Sequence, residues 1–281
     1  MKLVTYSKSG EEPRIGYLED GRVRPLAEPG MSMLEFIENG RAPEDRPSEE
    51  EALSLEEVTL HAPLGGATRW PQKILGIGLN YKDHAEETGA QLPEKPIVFA
   101  KYPNTIAAPG ETVSIPPITE QADYEAELGV VIGRPARNVS AGSALEHVFG
   151  YVNCNDVSSR DLQFSEGGQW TRSKSIDTFL PIGPYIATAD EVPDPQALSV
   201  RCVLNGETMQ DGNTKDMIFP VAELIAFLST GMTLMPGDII STGTPAGVGT
   251  ARDPKVFLKD GDEVTIEIEG LGTLTNPVRE E

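Results

Sequence analysis

The stretch Asp123-Tyr124-Glu125-Ala126-Glu127-Leu128-Gly129-Val130-Val131-Ile132 predicts a β-strand that carries carboxylates on one face. Side chains alternate along a strand, so Asp123, Glu125 and Glu127 are expected to share a face. The apolar, β-branched end of the stretch is typical of a buried strand. Three acids on one buried face would repel one another and resist desolvation, unless a cation neutralises them. A solvated face on an edge strand is the alternative interpretation.

A hard divalent cation would remove this difficulty. Magnesium binds one or two carboxylates and keeps positions for water and substrate. A second predicted strand, beginning at Tyr151, ends in a polar turn at Asp156, where a third carboxylate can join Glu125 and Glu127. Oxygen ligands favour Mg²⁺ or Mn²⁺ over Zn²⁺, which prefers nitrogen and sulfur. The sequence therefore predicts a magnesium-type site formed by these three acids.

A second group of polar residues follows an apolar strand at 73–78. His84 and Glu87 are three residues apart, which places both on one face of a helix. A glutamate there can orient the imidazole and raise its basicity, giving a general base near neutral pH. An ordinary polar surface helix is the alternative. The Gly76-x-Gly78 pattern lacks the third glycine and the βαβ context of a dinucleotide-binding loop.

Composition limits the class of protein. The chain has 281 residues and a formal net charge of -21, which argues against nucleic-acid partners and against anionic membranes. The acidity is compatible with a saline environment, which composition alone does not establish. Two cysteines without metal-type spacing, and no signal peptide or apolar span, lead us to expect a cytoplasmic protein.

Local signals predict a mainly β chain with some α-helix, organised as a small β-rich segment at 1–65 and a large domain at 66–281. Residues 42–51 are the best candidate for a linker. Capping boxes are predicted at Ser32 with Glu35 and at Ser143 with Glu146. Asn205-Gly206 predicts a hairpin, and apolar spacing between Pro220 and Gly231 predicts a helix.

Two loops are candidates for contact with a ligand. Residues 167–175 are glycine-rich and polar, which is typical of a mobile loop, and Lys174 is its functional candidate, although a loop lysine is usually a solvated cation. Residues 236–249 contain a turn, a strand and a Gly/Thr loop whose backbone amides could hold a substrate carboxylate.

These motifs together resemble the fumarylacetoacetate hydrolase family. The resemblance covers about residues 73–278, and it is carried by the following segments: Gly78-Leu79-Asn80-Tyr81 with His84 and Glu87, Asp123-Tyr124-Glu125-Ala126-Glu127-Leu128, Asn155-Asp156-Val157-Ser158 with Arg160-Asp161-Leu162-Gln163, Lys174 before Asp177-Thr178-Phe179, and Pro236-Gly237-Asp238 before Gly243-Thr244-Pro245. Each segment alone is weak evidence, but their order and spacing make the set specific.

The resemblance implies a mixed β-sandwich roll of the family's C-terminal type, and a homodimer. It implies Mg²⁺, or in some members Mn²⁺ or Ca²⁺, held by Glu125, Glu127 and Asp156. It also implies a catalytic His84–Glu87 dyad assisted by Lys174. Substrate contacts are implied for three further residues, Arg160, Gln163 and Thr244.

The function that this resemblance implies is metal-dependent cleavage of a C–C bond in a 2,4-diketo acid, an acylpyruvate or a diketo-deoxy sugar acid, in the catabolism of aromatic or sugar acids. We expect the 2-oxo acid to chelate the cation, which stabilises an enolate, while His84 activates water to attack C4. Lys174 would offset the developing charge. An oxaloacetate-type decarboxylase, a 2-hydroxyhepta-2,4-diene-1,7-dioate isomerase and a non-catalytic divalent-ion-binding protein remain alternatives.

Overall fold

The computed structural model describes residues 1–26, 30–40, 52–65, 73–165 and 168–281. The linker predicted at 42–51 lies outside the described residues. The strands are β1 (Lys2–Ser7), β2 (Arg14–Glu19), β3 (Arg22–Pro25), β4 (Leu53–Ser54), β5 (Thr59–His61), β6 (Ile74–Gly78), β7 (Ile97–Lys101), β8 (Ile106–Ala107), β9 (Val113–Ile115), β10 (Ala122–Asp123), β11 (Ala126–Ile132), β12 (Val148–Asn155), β13 (Ser158–Ser159), β14 (Leu180–Thr188), β15 (Ser199–Leu204), β16 (Glu207–Asn213), β17 (Ile239–Ser241), β18 (Glu263–Ile268) and β19 (Thr273–Glu280).

The helices of the described chain are short. They are α1 (Met33–Glu38), α2 (Lys82–Thr88), α3 (Ala141–Ala144), α4 (Arg160–Ser165), α5 (Trp170–Lys174) and α6 (Val221–Ser229). Single 3₁₀ turns occur at Leu55–Glu57, Pro103–Thr105, Leu145–His147, Ala189–Glu191, Thr214–Asp216 and Gly249–Ala251. None of the described helices has both the length and the apolar character needed to cross a membrane.

A twelve-stranded mixed sheet forms the larger layer. Its main path runs β4-β3-β2-β1-β14-β12-β11-β17-β6-β7, with β5 paired to β1 and β8 paired to β14. The β17–β6 and β14–β8 pairs are parallel, and the other pairs of this sheet are antiparallel. Strand β11 lies in the interior of the sheet between β12 and β17, and all seven of its residues are buried. The predicted mainly β fold is confirmed.

A five-stranded sheet of order β16-β15-β18-β19-β9 packs against one face of the large sheet. Apolar side chains from both sheets share one core, including Leu128 and Val130 of β11, Val200 and Cys202 of β15, and Ile266 of β18. Burial of apolar surface between two layers is what holds such sandwiches together. The predicted β-sandwich architecture is therefore present.

The N-terminal strands continue the large sheet, because β1 pairs with β14 as well as with β2. A second core lies where this segment meets the rest of the chain, and it joins Leu3, Ile15 and Phe36 to Val131 and Ile182. Residues 1–65 are thus tied to the large domain through both hydrogen bonds and packing. The boundary between 65 and 66 stays a prediction.

Several local predictions are confirmed. The Ser32–Glu35 capping box begins α1, the predicted helix near Pro220 is α6, and Asn205-Gly206 joins β15 to β16. The box predicted at Ser143 is wrong. Helix α3 begins after Ser140, and Glu146 lies in the following 3₁₀ turn. A neighbouring serine three residues earlier competes for the same role, and the short helix uses that earlier serine.

The strand predicted over 123–132 is interrupted at Tyr124 and Glu125. The chain changes partner there: Ala126 pairs with Asn155 of β12, whereas Asp123 pairs with Ser158 of β13 in a separate two-stranded sheet. The three acids therefore do not lie on one face of a single continuous strand. The interruption places the first acid in a different environment from the two that follow.

Candidate metal centre and active site

Three buried carboxylates converge where β11 begins and β12 ends. Glu125 precedes β11, Glu127 lies within it, and Asp156 directly follows β12, held by its backbone amide donating to the Glu125 carbonyl at 2.9 Å. One carboxylate oxygen of each acid lies within 4.8 Å of the others. The residues predicted to hold a metal are thus brought together, while Asp123 lies outside this cluster.

Three cations surround the cluster. Lys174 Nζ lies 2.6 Å from Glu125 Oε2 and 2.8 Å from Asp156 Oδ2. Lys101 Nζ donates to Asp156 Oδ1 at 2.5 Å. Arg160 donates from Nη2 to Glu125 Oε1 at 2.7 Å and from Nε to Asp123 Oδ2 at 2.8 Å. The sequence suggested a solvated or mobile Lys174, but this residue lies on α5 and is 2% exposed.

Glu127 is the carboxylate of the cluster that forms no ion pair with these three cations. It forms no ion pair with any described residue, and its Oε2 accepts from the Gly243 amide at 2.9 Å. Burial, together with the negative charges of Asp156 and Glu125, raises the pKa of Glu127. Burial opposes ionisation of Glu125 as well, but Lys174 and Arg160 outweigh it and lower the pKa of Glu125.

The donor set therefore fits a hard divalent cation. Four buried acids, Asp123, Glu125, Glu127 and Asp156, face three buried cations, and the excess negative charge lies at Glu127. Oxygen-only ligands of this kind suit Mg²⁺, Mn²⁺ or Ca²⁺ and do not suit Zn²⁺. Glu125, Glu127 and Asp156 are the residues that would hold such an ion.

The Gly/Thr loop after β17 organises the acids. Backbone amides of the loop donate to carboxylates of the protein itself: Gly243 to Glu127, Gly247 to Glu87, and both Gly249 and Thr250 to Asp123. The sequence had suggested that these amides could hold a substrate carboxylate. Those four amides are already engaged with carboxylates of the protein, so they do not form a site for a substrate carboxylate.

The predicted dyad is formed on α2. His84 Nδ1 lies 3.2 Å from Glu87 Oε2, and Glu87 Oε1 accepts from the Gly247 amide at 2.8 Å. Both side chains are mostly covered, with 12% and 21% exposure. Because Glu87 is fixed at both oxygens, it can hold the imidazole with its Nδ1 proton directed at the carboxylate. In that tautomer the lone pair lies on the other ring nitrogen, Nε2.

The three predicted substrate contacts also lie at the site. Arg160 is buried, and its Nη1 donates to Gln163 Oε1 at 3.0 Å. Thr244 Oγ1 donates to the Ala126 carbonyl and accepts from Gln210 Nε2 at 2.7 Å. Gln210 also accepts from the Ala126 amide, so it links the start of β11 to the Gly/Thr loop. Substrate contact by these residues stays a prediction.

One cavity of about 360 Å³ unites these groups. His84, Glu125, Glu127, Arg160, Gln163, Lys174 and Thr244 all line it. Its size falls in the range of small-molecule sites, roughly 300–1,000 Å³. The structure therefore places a candidate base and a candidate metal centre in contact with one ligand volume.

The two glycines of β6 make room for aromatic rings next to this cavity. A Cβ atom at Gly76 would lie 2.2 Å from the Phe99 ring, and one at Gly78 would lie 2.1 Å from the Trp170 ring. The two rings meet edge to face, with centroids 5.7 Å apart. The Gly-x-Gly pattern is thus explained by close packing rather than by a bound phosphate.

Sequence reasoning missed Lys101 and Trp170. Lys101 ends an edge strand, where a lysine is normally solvated. Strand β7 is separated from β11 by β6 and β17, so no local sequence signal indicates that Lys101 reaches the acids. Trp170 lies in a segment that the sequence indicated as a loop, but the same glycines at 76 and 78 pointed to a bulky neighbour.

Comparison with known proteins agrees with this geometry. The family model described as fumarylacetoacetate (FAA) hydrolase C-terminal matches residues 73–279. A Burkholderia lata protein, whose name describes it provisionally as a hydrolase, is 45% identical over 276 residues, covering 97% of this chain and 96% of that protein.

Two solved structures are similar over the whole chain. The fumarylacetoacetate hydrolase of psychrophilic Exiguobacterium antarcticum is 38% identical, with a TM-score of 0.87 and full coverage of both chains. The 2-hydroxyhepta-2,4-diene-1,7-dioate isomerase of Mycobacterium marinum is 36% identical, with a TM-score of 0.81 and coverage of 100% and 99%.

The fold and the acid cluster define a class of β-sandwich enzymes whose cavity offers oxygen ligands that suit a divalent cation. Within that class, this chain belongs to the fumarylacetoacetate hydrolase family. Members of the family include hydrolases and isomerases, as the two solved structures illustrate.

Proposed function

We propose that the protein hydrolyses a C–C bond in a 2,4-diketo acid, such as an acylpyruvate or a diketo-deoxy sugar acid, with a divalent cation held by Glu125, Glu127 and Asp156. The observation that carries this proposal is that His84, Glu125 and Glu127 line one cavity, with Glu87 paired to His84 and Asp156 within 4.8 Å of the two glutamates. Cleavage of a 1,3-diketone by water needs both a base and a place for negative charge, and this cavity contains groups for each.

The base is His84. Glu87 holds Nδ1, so Nε2 takes a proton from water, and the oxygen of that water attacks the C4 carbonyl. The C3–C4 bond then breaks, and its electrons form the enolate of the 2-oxo acid fragment. His84 returns the proton to C3, which gives a carboxylic acid and a pyruvate-type product. Water is consumed, and no other reactant is needed.

The residues around the acids stabilise the negative charge that develops on the substrate. A bound Mg²⁺ ion supplies Lewis-acid stabilisation of the enolate oxygen. Lys174, buried between Glu125 and Asp156, places a positive charge at the same point. Arg160 pairs with both Asp123 and Glu125 and lines the cavity, so it holds the two acids in fixed positions.

A direct assay tests the proposal. Chelator-treated protein would be given 2,4-dioxopentanoate with and without Mg²⁺, and pyruvate and acetate would be measured together. We expect equal amounts of both products that depend on the cation and disappear in Glu125→Gln. Absence of cleavage under saturating Mg²⁺, across a panel of 2,4-diketo acids, would contradict it.

Isomerisation is the second candidate, because two of the similar solved structures are isomerases by name, one from Mycobacterium marinum and one from Mycobacterium smegmatis. The same base and cation site can move a proton along a dienoic acid without activating water. The two candidates differ in product: isomerisation changes the ultraviolet spectrum of a dienoic acid and releases no pyruvate. A homodimer is also proposed, and analytical ultracentrifugation would test it.

A further inference from the structure

The cavity has a polar end and an apolar end. The polar end is formed by the acids, Lys174, Arg160 and His84. The rest of the lining combines the neutral polar residues Thr88, Gln163, Thr244 and Thr250 with a larger hydrocarbon surface from Ile77, Leu79, Ala90, Ile97, Phe164 and Trp170. Such a division matches a ligand whose charged head and uncharged tail occupy different parts of one volume.

Trp170 is the central residue of the apolar wall. Its ring lies against the backbone of Gly78 and meets Phe99 edge to face, and the Phe99 ring lies 5.0 Å from Lys174 Nζ. The aromatic wall therefore begins beside the polar end. It continues to Ile97 and Phe164, which line the cavity and are still 38% and 66% exposed, so they mark its open side.

No positive charge is available for a second anionic group on the substrate. Among the described residues that line the cavity, those that can be cationic are His84, Arg160 and Lys174. Each is already bound to carboxylates of the protein: His84 to Glu87, and the other two to the buried acids. A carboxylate seated against Trp170 and Ile97 would lose water without gaining a cation, which is costly. The neutral polar groups of the lining are largely engaged within the protein, since the Thr88 and Thr244 hydroxyls donate to backbone carbonyls and Gln163 Oε1 accepts from Arg160, so a chain of hydroxyls finds few partners.

We propose that the tail of the substrate is apolar, an unbranched alkyl or an aryl acyl group, and that Trp170, Ile97 and Phe164 contact it. This inference rests on the proposed function for the head group, and it selects the acylpyruvate class over the diketo-deoxy sugar acids. It also separates this chain from an enzyme of dicarboxylates, for which a second cation would be needed.

The test compares substrates that share the reacting head and differ in the tail. Four compounds serve: 2,4-dioxopentanoate with a methyl tail, 2,4-dioxononanoate with a pentyl tail, 2,4-dioxooctanedioate with a carboxylate tail, and 5,6-dihydroxy-2,4-dioxohexanoate. We expect kcat/KM for the pentyl compound to exceed that of each other compound by at least about tenfold, since apolar pockets discriminate on this scale. A higher value for the carboxylate or the dihydroxy compound would overturn the inference.

Variants then locate the tail. In Trp170→Ala and in Phe164→Ala, the ratio of kcat/KM for the pentyl and methyl compounds should fall by about tenfold. Phe227 of α6 is a matched control, since it is 40% exposed and does not line the cavity. Phe227→Ala should keep the wild-type ratio. An unchanged ratio in both cavity variants would show that Trp170 and Phe164 do not contact the tail of the substrate.

Inhibitor binding separates this inference from the proposed reaction. N-pentyloxamate and N-(3-carboxypropyl)oxamate carry the same head, and calorimetry at saturating Mg²⁺ measures their affinities without turnover. Tighter binding of the pentyl compound by about tenfold supports the apolar tail even when no 2,4-diketo acid is cleaved. Equal or tighter binding of the carboxypropyl compound refutes it, whichever reaction the enzyme catalyses.

Discussion

Lys101 and Asp156 form a fully buried ion pair, with Lys101 Nζ 2.5 Å from Asp156 Oδ1 and both side chains at 0% exposure. Lys174 reaches the other oxygen of the same carboxylate at 2.8 Å. One acid is thus fixed at both oxygens by two lysines from different elements, β7 and α5. This arrangement orients Asp156 towards Glu125 and Glu127 before any ligand binds.

The first prediction concerns the stability that depends on this pair. Lys101→Met leaves Asp156 buried without its nearest counter-charge, and breaking a buried pair in this way costs about 3–5 kcal/mol. We expect that loss in the free energy of unfolding, measured by urea titration of chelator-treated protein. The exposed Lys215 gives the control, since Lys215→Met should change stability by less than about 0.5 kcal/mol.

A double variant keeps this prediction testable even when one of the single variants fails to fold. In Lys101→Met combined with Asp156→Asn, one cation and one acid are removed together and Lys174 keeps Glu125, so the cost should be smaller than the sum of the two single costs. A coupling energy of about 0.5–3 kcal/mol is expected for residues in direct contact. Strictly additive costs would show that the two side chains do not support each other.

The second prediction compares the effects on stability of glutamine substitutions at Glu127 and at Glu125. Glu127→Gln replaces a buried acid whose pKa is raised by burial and by the charges of Asp156 and Glu125, and the amide oxygen can still accept from Gly243. At neutral pH the folded chain must either bury this charge or take up a proton, and the glutamine requires neither. We expect unfolding free energy without metal to rise by about 0.5–2 kcal/mol, as at other sites where function costs stability. Glu125→Gln should lower it by about 1.5–3 kcal/mol, because Lys174 and Arg160 each lose one of their two carboxylate partners.

Metal addition gives the complementary result. Wild-type protein should gain about 2.7 kcal/mol of stability when Mg²⁺ is present at one hundred times its dissociation constant, since the ion binds the folded chain alone. Both glutamine variants should lose most of this gain. If either variant keeps the full increase in stability on addition of Mg²⁺, the substituted residue is not a ligand of the ion. Calorimetry would then show an unchanged affinity for Mg²⁺ in that variant.

The third prediction compares the two glycines of β6. Gly76→Ala drives a methyl group into the ring of Phe99, which is 7% exposed and has little room to move, so we expect a cost of about 1–3 kcal/mol. Gly78→Ala displaces Trp170, which is half-buried and can shift outward. Urea unfolding should therefore rank Gly76→Ala as the less stable variant, and the reverse order would contradict this account of the packing.

The parts of the fold that the sequence predicted are those set by near neighbours. The Ser32–Glu35 box, the Asn205-Gly206 hairpin and the apolar spacing of α6 each involve residues within one or two turns. The wrong box at Ser143 shows the limit of this approach, because Ser140 offers the same chemistry three residues earlier.

The site was predictable where its chemistry is distinctive. Grouped carboxylates indicated the acid cluster, because like charges cannot be buried together without a counter-charge. Lys101 gave no such signal, since its partner Asp156 is 55 residues away and its burial depends on how β7 joins the sheet. The break at Tyr124 was equally hidden, because it results from a change of partner strand rather than from local propensity.

The last prediction separates the contribution of the base to catalysis from the contribution of the cation site. Hydrolysis needs His84 Nε2 to activate water, whereas loss of CO₂ from oxaloacetate needs chiefly an electron sink and no nucleophile. His84→Ala should lower kcat/KM for a cleaved 2,4-diketo acid by about two to four powers of ten, the usual contribution of a general base. Any oxaloacetate decarboxylation should fall far less, while Glu127→Gln should depress both reactions together.

The measurement is kcat/KM for both substrates at fixed saturating Mg²⁺, in wild type and in the two variants. His147 does not line the cavity and provides a matched control, so His147→Ala should leave both values unchanged. Equal losses for the two substrates in His84→Ala would mean that His84 serves the cation site or the fold, and not the water. Intact hydrolysis in that variant would leave the mechanism without its base, because the other two histidines of the chain, His61 and His147, lie outside the cavity.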